Sequence, residues 1–337
     1  MRKLSIFLAL MAFLLASCAH KDFCLHHPHE VKLKVEFNWQ NAPEANPLGM
    51  SVFFYPKYGG DSRRVDFKGT TGGYIELPVG EYLVITYNND TEGILFGNGS
   101  FEKHRAYTRE GNLLEPVLGS SAGVPRANGT EDEKVVITPD MLWGCTSLDV
   151  EITDEGIGYT CEPFTGENKY VKMESKEHVI VLYPHDMMCL YSYEIRNVKN
   201  LSQATQMCAS LSGMSGGMTL ADEKLFTQSV TLPLEARMEP DSARITGQFF
   251  TFGHSLENSA PHKMLLYVWM SNGDKLYFGE GSEKFDVTEQ IHNAPNRRRV
   301  HIIIDGLDLP MDMGGDGNDW SVSVDDWEEV NSDISMG

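Results

Sequence analysis

Between residues 31 and 39 the chain alternates with a period of two. Val31, Leu33, Val35, Phe37 and Trp39 fall on one face, and Lys32, Lys34, Glu36 and Asn38 on the other. This is the pattern of a strand half-buried in a sheet. Two prolines and a glycine between 41 and 49 break it, and strand-like runs follow at 50–55, 63–67, 73–77 and 80–87. Only Pro78 and Val79 separate the last two runs, which predicts a tight hairpin there. Strand character resumes at 94–96 and 134–137, on either side of a loop-rich stretch, 97–131. Short strands repeated every eight to twelve residues or so, with few helical windows, predict a β-sandwich.

The alternation returns beyond residue 143. Strands are predicted at 148–152, 179–183, 188–198, 229–235, 244–251, 264–271, 275–279 and 299–304, with an edge strand at 320–324. Asn272-Gly273-Asp274 reads as a hairpin turn that requires positive φ. Two windows depart from the period of two. Leu201, Ala204, Met207, Cys208 and Leu211 recur at three- and four-residue spacing and predict a helix stopped by Gly213, while 287–292 predicts a short helical turn. The expected fold class is therefore all-β. It comprises two tandem sandwiches, 31–142 and 143–337, with one short helix in the second and an acidic segment at its end.

The first thirty residues follow a different rule. Arg2 and Lys3 precede an apolar run from Ile6 to Leu15, and Leu15-Ala16-Ser17-Cys18 closes it. The run is shorter than the roughly 20 residues a bilayer span needs, and the three-part plan is that of a signal peptide, 1–17. Leu-Ala-Ser-Cys matches a lipobox, which predicts cleavage before Cys18 and lipidation of its thiol with palmitate-type chains; an ordinary signal with an incidental cysteine is the plainer alternative. Residues 18–30 would then form a lipidated tether. His20, His26, His27 and His29 beside Cys24 offer metal ligands there, but a flexible tail lacks the preorganised surroundings of a metal site, and a solvated spacer is the favoured reading.

Charge narrows the partners. With 28 Lys and Arg against 48 Asp and Glu, the net charge is −20, and removal of 1–17 takes away two cations and leaves −22. Nucleic acid is thereby excluded as a partner, because phosphate contacts need clustered cations. Five further cysteines, Cys24, Cys145, Cys161, Cys189 and Cys208, include no CxxC pair, which excludes zinc-ribbon and thioredoxin chemistry. A Cys145–Cys161 bridge and buried free thiols both remain open.

Three patterns invite a chemical reading. Gly213-Met214-Ser215-Gly216-Gly217 matches the nucleophile elbow of serine hydrolases, but that elbow needs a strand before the serine and a helix after it, the reverse of the order predicted here. Residues 314–319 fit most of a calcium turn, with Asp312, Asp316, Asn318 and Asp319 as candidate ligands. Such turns occur in arrays, however, and this single copy, with polar Ser321 where an apolar residue belongs, is better read as a solvated acidic loop. Trp39, Trp143, Trp269, Trp320 and Trp327 would suit a glycan platform or ordinary packing. No phosphate loop, HExxH or dinucleotide fingerprint occurs, so no cofactor is expected.

Beyond these patterns, a set of short motifs spans the chain. They are Phe37-Asn38-Trp39, Asn41-Ala42-Pro43, the run Gly-Gly-Tyr-Ile-Glu-Leu-Pro-Val-Gly at 72–80, Tyr87-Asn88-Asn89-Asp90 and Leu211-Ser212-Gly213-Met214. In the second half, 265–268, Asn272-Gly273, Phe285-Asp286-Val287-Thr288 and 300–304 join them. Together with the lipobox they resemble an uncharacterised family of Bacteroides-type lipoproteins, similar to FimB-type fimbrium anchor subunits. The resemblance implies two transthyretin-like sandwiches, attachment to the cell outer membrane through Cys18, and a role in anchoring or assembling fimbriae with a fimbrial subunit as partner. It implies no catalytic residues. Lys21-Asp22 is similar to export signals for the cell surface, Asp241-Ser242-Ala243 to an O-glycosylation sequon, and Arg126 falls where a processing site would be accessible. The expected mechanism is addition of a partner strand to an open sheet edge. A surface glycan-binding lipoprotein is the alternative, and a serine hydrolase a distant one.

Overall fold

The computed structural model describes residues 30–119, 123–153, 178–311 and 327–328, and the backbone alone of 159–161, 170–172 and 329. The described residues begin with strands β1 (Glu30–Phe37), β2 (Gly49–Pro56), β3 (Arg63–Lys68), β4 (Gly73–Pro78), β5 (Gly80–Asn88), β6 (Ile94–Gly97), β7 (Arg105–Thr108) and β8 (Lys134–Val135). Then come β9 (Trp143–Ile152), β10 (Tyr159–Cys161), β11 (Tyr170–Lys172), β12 (His178–Leu182), β13 (His185–Asp186), β14 (Cys189–Lys199), β15 (Ala204–Ser215) and β16 (Gly217–Thr219). The last are β17 (Ser229–Glu235), β18 (Arg237–Glu239), β19 (Arg244–Thr251), β20 (Met264–Met270), β21 (Lys275–Phe278), β22 (Arg299–Asp308) and β23 (Glu328–Glu329). Among the described residues α1 (Thr288–His292) is the single α-helix, and no helix is long and apolar enough to cross a membrane. The fold is all-β.

In the first sandwich a three-stranded sheet, β12-β1-β4, faces a five-stranded one, β13-β9-β5-β2-β3. The alternation that opens the chain is realised: Val31, Leu33, Val35 and Phe37 are buried and pack with Met50, Val52, Phe54 and Val84. In the second sandwich β18-β19-β14-β22 faces β23-β21-β20-β15-β17-β8. Tyr191, Tyr193 and Ile195 of β14 point into its core against Val300, Ile302 and Ile304 of β22, a parallel neighbour. A small third sheet, β16-β7-β6, joins strands of both halves over a cluster that includes Phe53, Tyr87, Ala106, Met218 and Phe252. Strand pairing thus crosses the expected break at 142/143 in both directions. β9, β12 and β13 complete the first pair of sheets, whereas β8 and β7 pair with β17 and β16.

Three expectations fail for physical reasons. The predicted helix over 201–211 is a 3-10 turn (Leu201–Gln203) followed by the long strand β15. Met207, Ala209 and Leu211 face the sandwich core, while Cys208 lies on the other face beneath Leu113, Leu114, Val124 and Ala127. Burial on both faces erases the period of two, and the remaining apolar spacing mimics a helix. Within the expected loop-rich stretch, Leu113, Leu114, Val117, Val124 and Ala127 therefore cover the outer face of the six-stranded sheet. Arg126 is half-buried in the same stretch and donates to the Glu133 carbonyl and to Thr231 Oγ1, so it is not a loosely held cleavage site. The predicted hairpin at Pro78 and Val79 is instead a corner: β4 pairs with β1, and β5 with β2 and β9, so the turn carries the chain from one sheet to the other. The turn at Asn272-Gly273-Asp274 and the helical turn near 287–292 are present. The edge strand expected at 320–324 lies outside the described residues.

An ion pair crosses between the halves. His185 of β13 meets Glu223 at 2.8 Å, and each is about a third exposed. The hydrogen bond to Glu223 raises the His185 pKa above 6.5, and the reciprocal bond holds Glu223 below 4.5. Their mutual stabilisation is complete between those two values. It is lost as pH rises through the raised histidine pKa or falls through the lowered glutamate pKa. Solvent screening limits it to about 1 kcal/mol or less. A double-mutant cycle on His185→Ala and Glu223→Gln should show coupling at pH 6 that vanishes at pH 9; coupling that persists at pH 9 would contradict the assignment.

Candidate partner-binding groove

The outer face of the small sheet forms one wall of an open groove of about 850 Å³. Leu95 and Tyr107 are cross-strand neighbours on β6 and β7, so the pleat aims both into the groove, while Ile94 and Ala106 point the other way into the core. Val136, Val230, Leu225 and Phe226 supply further apolar surface from the β8–β17 edge and the loop before it. The charges on the rim are paired: Lys134 with Glu110, and Lys224 with Glu257 at 3.0 Å. An apolar floor with a neutralised charged rim suits an extended polypeptide better than a small charged ligand. Leu95 is 42% exposed, a large apolar side chain left facing solvent.

Two other sheet edges are guarded. The outer edge of β3 carries Arg63, Arg64, Asp66 and Lys68, the charged composition that discourages strand addition. At β22 the carboxamide of Gln290, on α1, bonds both the N–H and the C=O of Ile303, standing in for a neighbouring strand. β8 is closed on both sides, by β17 and by residues 109–111, where the Gly111 N–H donates to the Val135 carbonyl and the Ile137 N–H to the Arg109 carbonyl; β6, beside the groove, stands at the end of its sheet and pairs with β7.

The residues singled out from sequence fare unevenly. Cys18, Cys24, the histidines of the tether, Asp312, Asp316, Asn318, Asp319 and Trp320 lie outside the described residues. Ser215 sits at the end of β15, buried, and its hydroxyl donates to the carbonyls of Gly217 and Phe226. A strand precedes it, contrary to the expected helix, yet another strand follows where an elbow needs a helix, and the hydroxyl is committed to backbone. Cys145, Cys189 and Cys208 are free thiols, and burial pushes Cys145 and Cys208 up to about 12, so they act as small apolar groups. Trp39 and Trp143 are half-buried and tied by their indole N–H to Thr70 O and Asp186 Oδ1, while Trp269 and Trp327 stack edge-to-face at 5.0 Å. None of the four presents an exposed flat ring. Ser242 is exposed in a 3-10 turn, its hydroxyl bonded to Glu239.

Sequence reading missed the buried histidines. His104 is enclosed between Tyr55 Oη at 2.6 Å and Tyr87 Oη at 3.1 Å. His254, His262 and His292 converge in the second sandwich, where they are the group among the described residues that would fit a metal ion. Their spacing of 8 and 30 residues matches no linear motif, and only the fold brings them together.

Comparison with known proteins places this architecture. A curated relative from Bacteroides ovatus, named "Putative fimbrium anchoring subunit Fim4B", is 27% identical over 264 residues, covering 77% of this chain and 68% of the relative. A crystal structure from the same species, titled as that of a "putative adhesin", superposes with a TM-score of 0.57 at 20% identity and covers 95% of this chain and 99% of its own. The two chains share a fold. The fimbrial anchor protein Mfa2 from Porphyromonas gingivalis aligns over 81% of this chain and 90% of its own at 13% identity and a TM-score of 0.43. A family model matches residues 17–235, about two thirds of the sequence. The chain belongs to the family described as domain of unknown function DUF5119.

Proposed function

We propose that this protein is a surface lipoprotein of the outer membrane that anchors fimbriae, held in lipid by Cys18 and gripping a fimbrial subunit by strand addition in the groove beside β6. The observation that carries the role is the alignment with the fimbrium anchoring subunit over 77% of this chain, together with the shared fold. The groove supports the mechanism: it is apolar and open, and Leu95 lies in it on β6, a short strand at the end of its sheet, where a partner's main chain would find hydrogen-bonding groups while its alternate side chains would find Leu95, Tyr107 and Phe226. In this reading the partition runs through the sheets rather than at residue 142, with the first sandwich ending near β13. Residues 18–30 supply reach, and a multiply acylated cysteine supplies stable attachment.

Two variants separate the two ends of the mechanism. Cys18→Ala should release the protein, and its fimbriae with it, into the medium. Leu95→Glu, at a position already partly exposed, should leave the protein on the cell with its fold intact while fimbriae are shed. Normal fimbrial attachment in both variants would sink the proposal. The half-buried tryptophans give the glycan-binding alternative no comparable surface.

A further inference from the structure

His254, His262 and His292 each offer one ring nitrogen, and these atoms lie within 4.8 Å of one another. His262 is 1% exposed and His254 7%, and His292 is half-buried on the last turn of α1. The ring centroids form a near-equilateral triangle, with separations of 5.2, 5.1 and 5.0 Å. The Nε2 atoms of His262 and His292 face each other at 3.2 Å. Two nitrogens bound to one Zn²⁺ at 2.0–2.1 Å in tetrahedral geometry are about 3.3 Å apart, so this pair already spans one edge of such a site.

The surroundings fix the rings as ligand sites are usually fixed. His262 Nδ1 lies 3.1 Å from the Ser212 carbonyl, so it carries the proton and donates it, leaving a lone pair on Nε2. His254 Nδ1 stands 3.5 Å from Tyr191 Oη, whose own proton goes to the Arg297 carbonyl. The stretch that mimics a nucleophile elbow is the wall behind this cluster. Gly213 has φ +79°, and a Cβ there would stand 2.7 Å from His262 Nδ1; the N–H of Ser215 bonds the Gly253 carbonyl, next to His254. α1 is tied to the same place, because Thr288 Oγ1 accepts from the His262 N–H and the Val287 N–H bonds the His262 carbonyl.

We infer that His254, His262 and His292 form a binding site for one Zn²⁺-like divalent cation, with a solvent molecule as fourth ligand. Three imidazoles and an open position are a set that zinc accepts. Burial holds His254 and His262 near a pKa of about 4, so both are neutral, and thus competent ligands, at pH 7. With the site empty, His292 Nε2 carries a proton and donates it to the lone pair on His262 Nε2. Binding shifts that proton to Nδ1 of His292 and frees both Nε2 lone pairs, with no net release. The cation would clamp the 252–263 loop and α1 together, and with α1 it would hold Gln290 over the edge of β22.

The test uses the full-length chain in detergent, stripped with chelator and titrated with ZnCl₂. The site predicts one tightly bound ion per chain, a saturable rise in melting temperature, and slower amide exchange across 288–292. His292→Gln, at the half-buried position, should weaken binding at least a hundredfold while leaving the circular dichroism unchanged. His262→Ala should do the same if it folds. A variant with His20, His26, His27 and His29 all changed to Ala should bind as tightly as the parent. Loss of binding in that variant, parental affinity in His292→Gln, or no stoichiometric zinc at all would each overturn the inference.

Discussion

Metal-free protein should lose several kcal/mol of stability between pH 6.5 and about 4, well before its carboxylates are broadly protonated. Three rings are responsible. Burial depresses His104, His254 and His262 to about 4 from an ordinary value of 6.5. The unfolded chain therefore takes up protons in this interval that the native state refuses, and stability falls with pH until about 4, below which these groups add no further loss. A shift of this size corresponds to about 3 kcal/mol for each ring, against the 5–15 kcal/mol that holds a typical domain together. His104 shows the cause most plainly. It is fully buried among Phe53, Tyr55, Tyr87 and Phe101, with both nitrogens occupied by tyrosine hydroxyls. Urea unfolding in chelator at pH 7, 6 and 5 should show a slope approaching three protons. His104→Gln, which can bond both tyrosines without titrating, should reduce that slope by about one proton. A pH-independent midpoint over this range would contradict the burial of neutral rings.

The second large effect is expected at Gly72. Its φ is +83°, and a Cβ there would lie 2.0 Å from the Val35 carbonyl oxygen and 2.8 Å from its carbon. Both are backbone atoms of β1, so no side chain can swing aside. Gly72→Ala must then either shift β4 away from β1 or distort the turn, and the register that sets Val35 opposite Gly73 is disturbed. Strained φ and a backbone clash together should cost about 3 kcal/mol or more. The loss should be concentrated in the first sandwich: tryptophan fluorescence at Trp39, whose indole bonds the Thr70 carbonyl, should report it. The neighbouring Gly73→Ala, whose Cβ would meet only the Phe67 ring at 3.3 Å, should cost much less. Equal losses in the two variants would show that the clash is relieved in some other way.

Local rules carried far into this fold, and their failures share a cause. The period of two identifies β1 and β14, because each has one face in a core. The Asn-Gly turn and the short helix are also local and legible. β15 is not, because a distant loop covers its outer face through Leu113, Val124 and Ala127. The corner after β4 looks like a hairpin because proximity in sequence cannot reveal that the neighbouring strands belong to opposite sheets. The parallel pairings of β1 with β12 and of β14 with β22 join segments more than a hundred residues apart. The groove combines residues of β6, β7, β8 and β17, so no linear signal could assemble it. The elbow-like motif at 213–217 marks a special backbone without elbow chemistry: its glycine makes room for His262, and its bulge shifts the register between β15 and β17.

The central claim is that the groove beside β6 receives a fimbrial subunit. A photo-crosslinking residue placed at Leu95 in the native strain tests it most directly. The account predicts a crosslinked species that contains a fimbrial subunit through an extended segment, absent when the crosslinker sits at Arg64 on the charged β3 edge. A Leu95 probe that captures no fimbrial subunit on fimbriated cells, or a subunit captured equally well from Arg64, would contradict it.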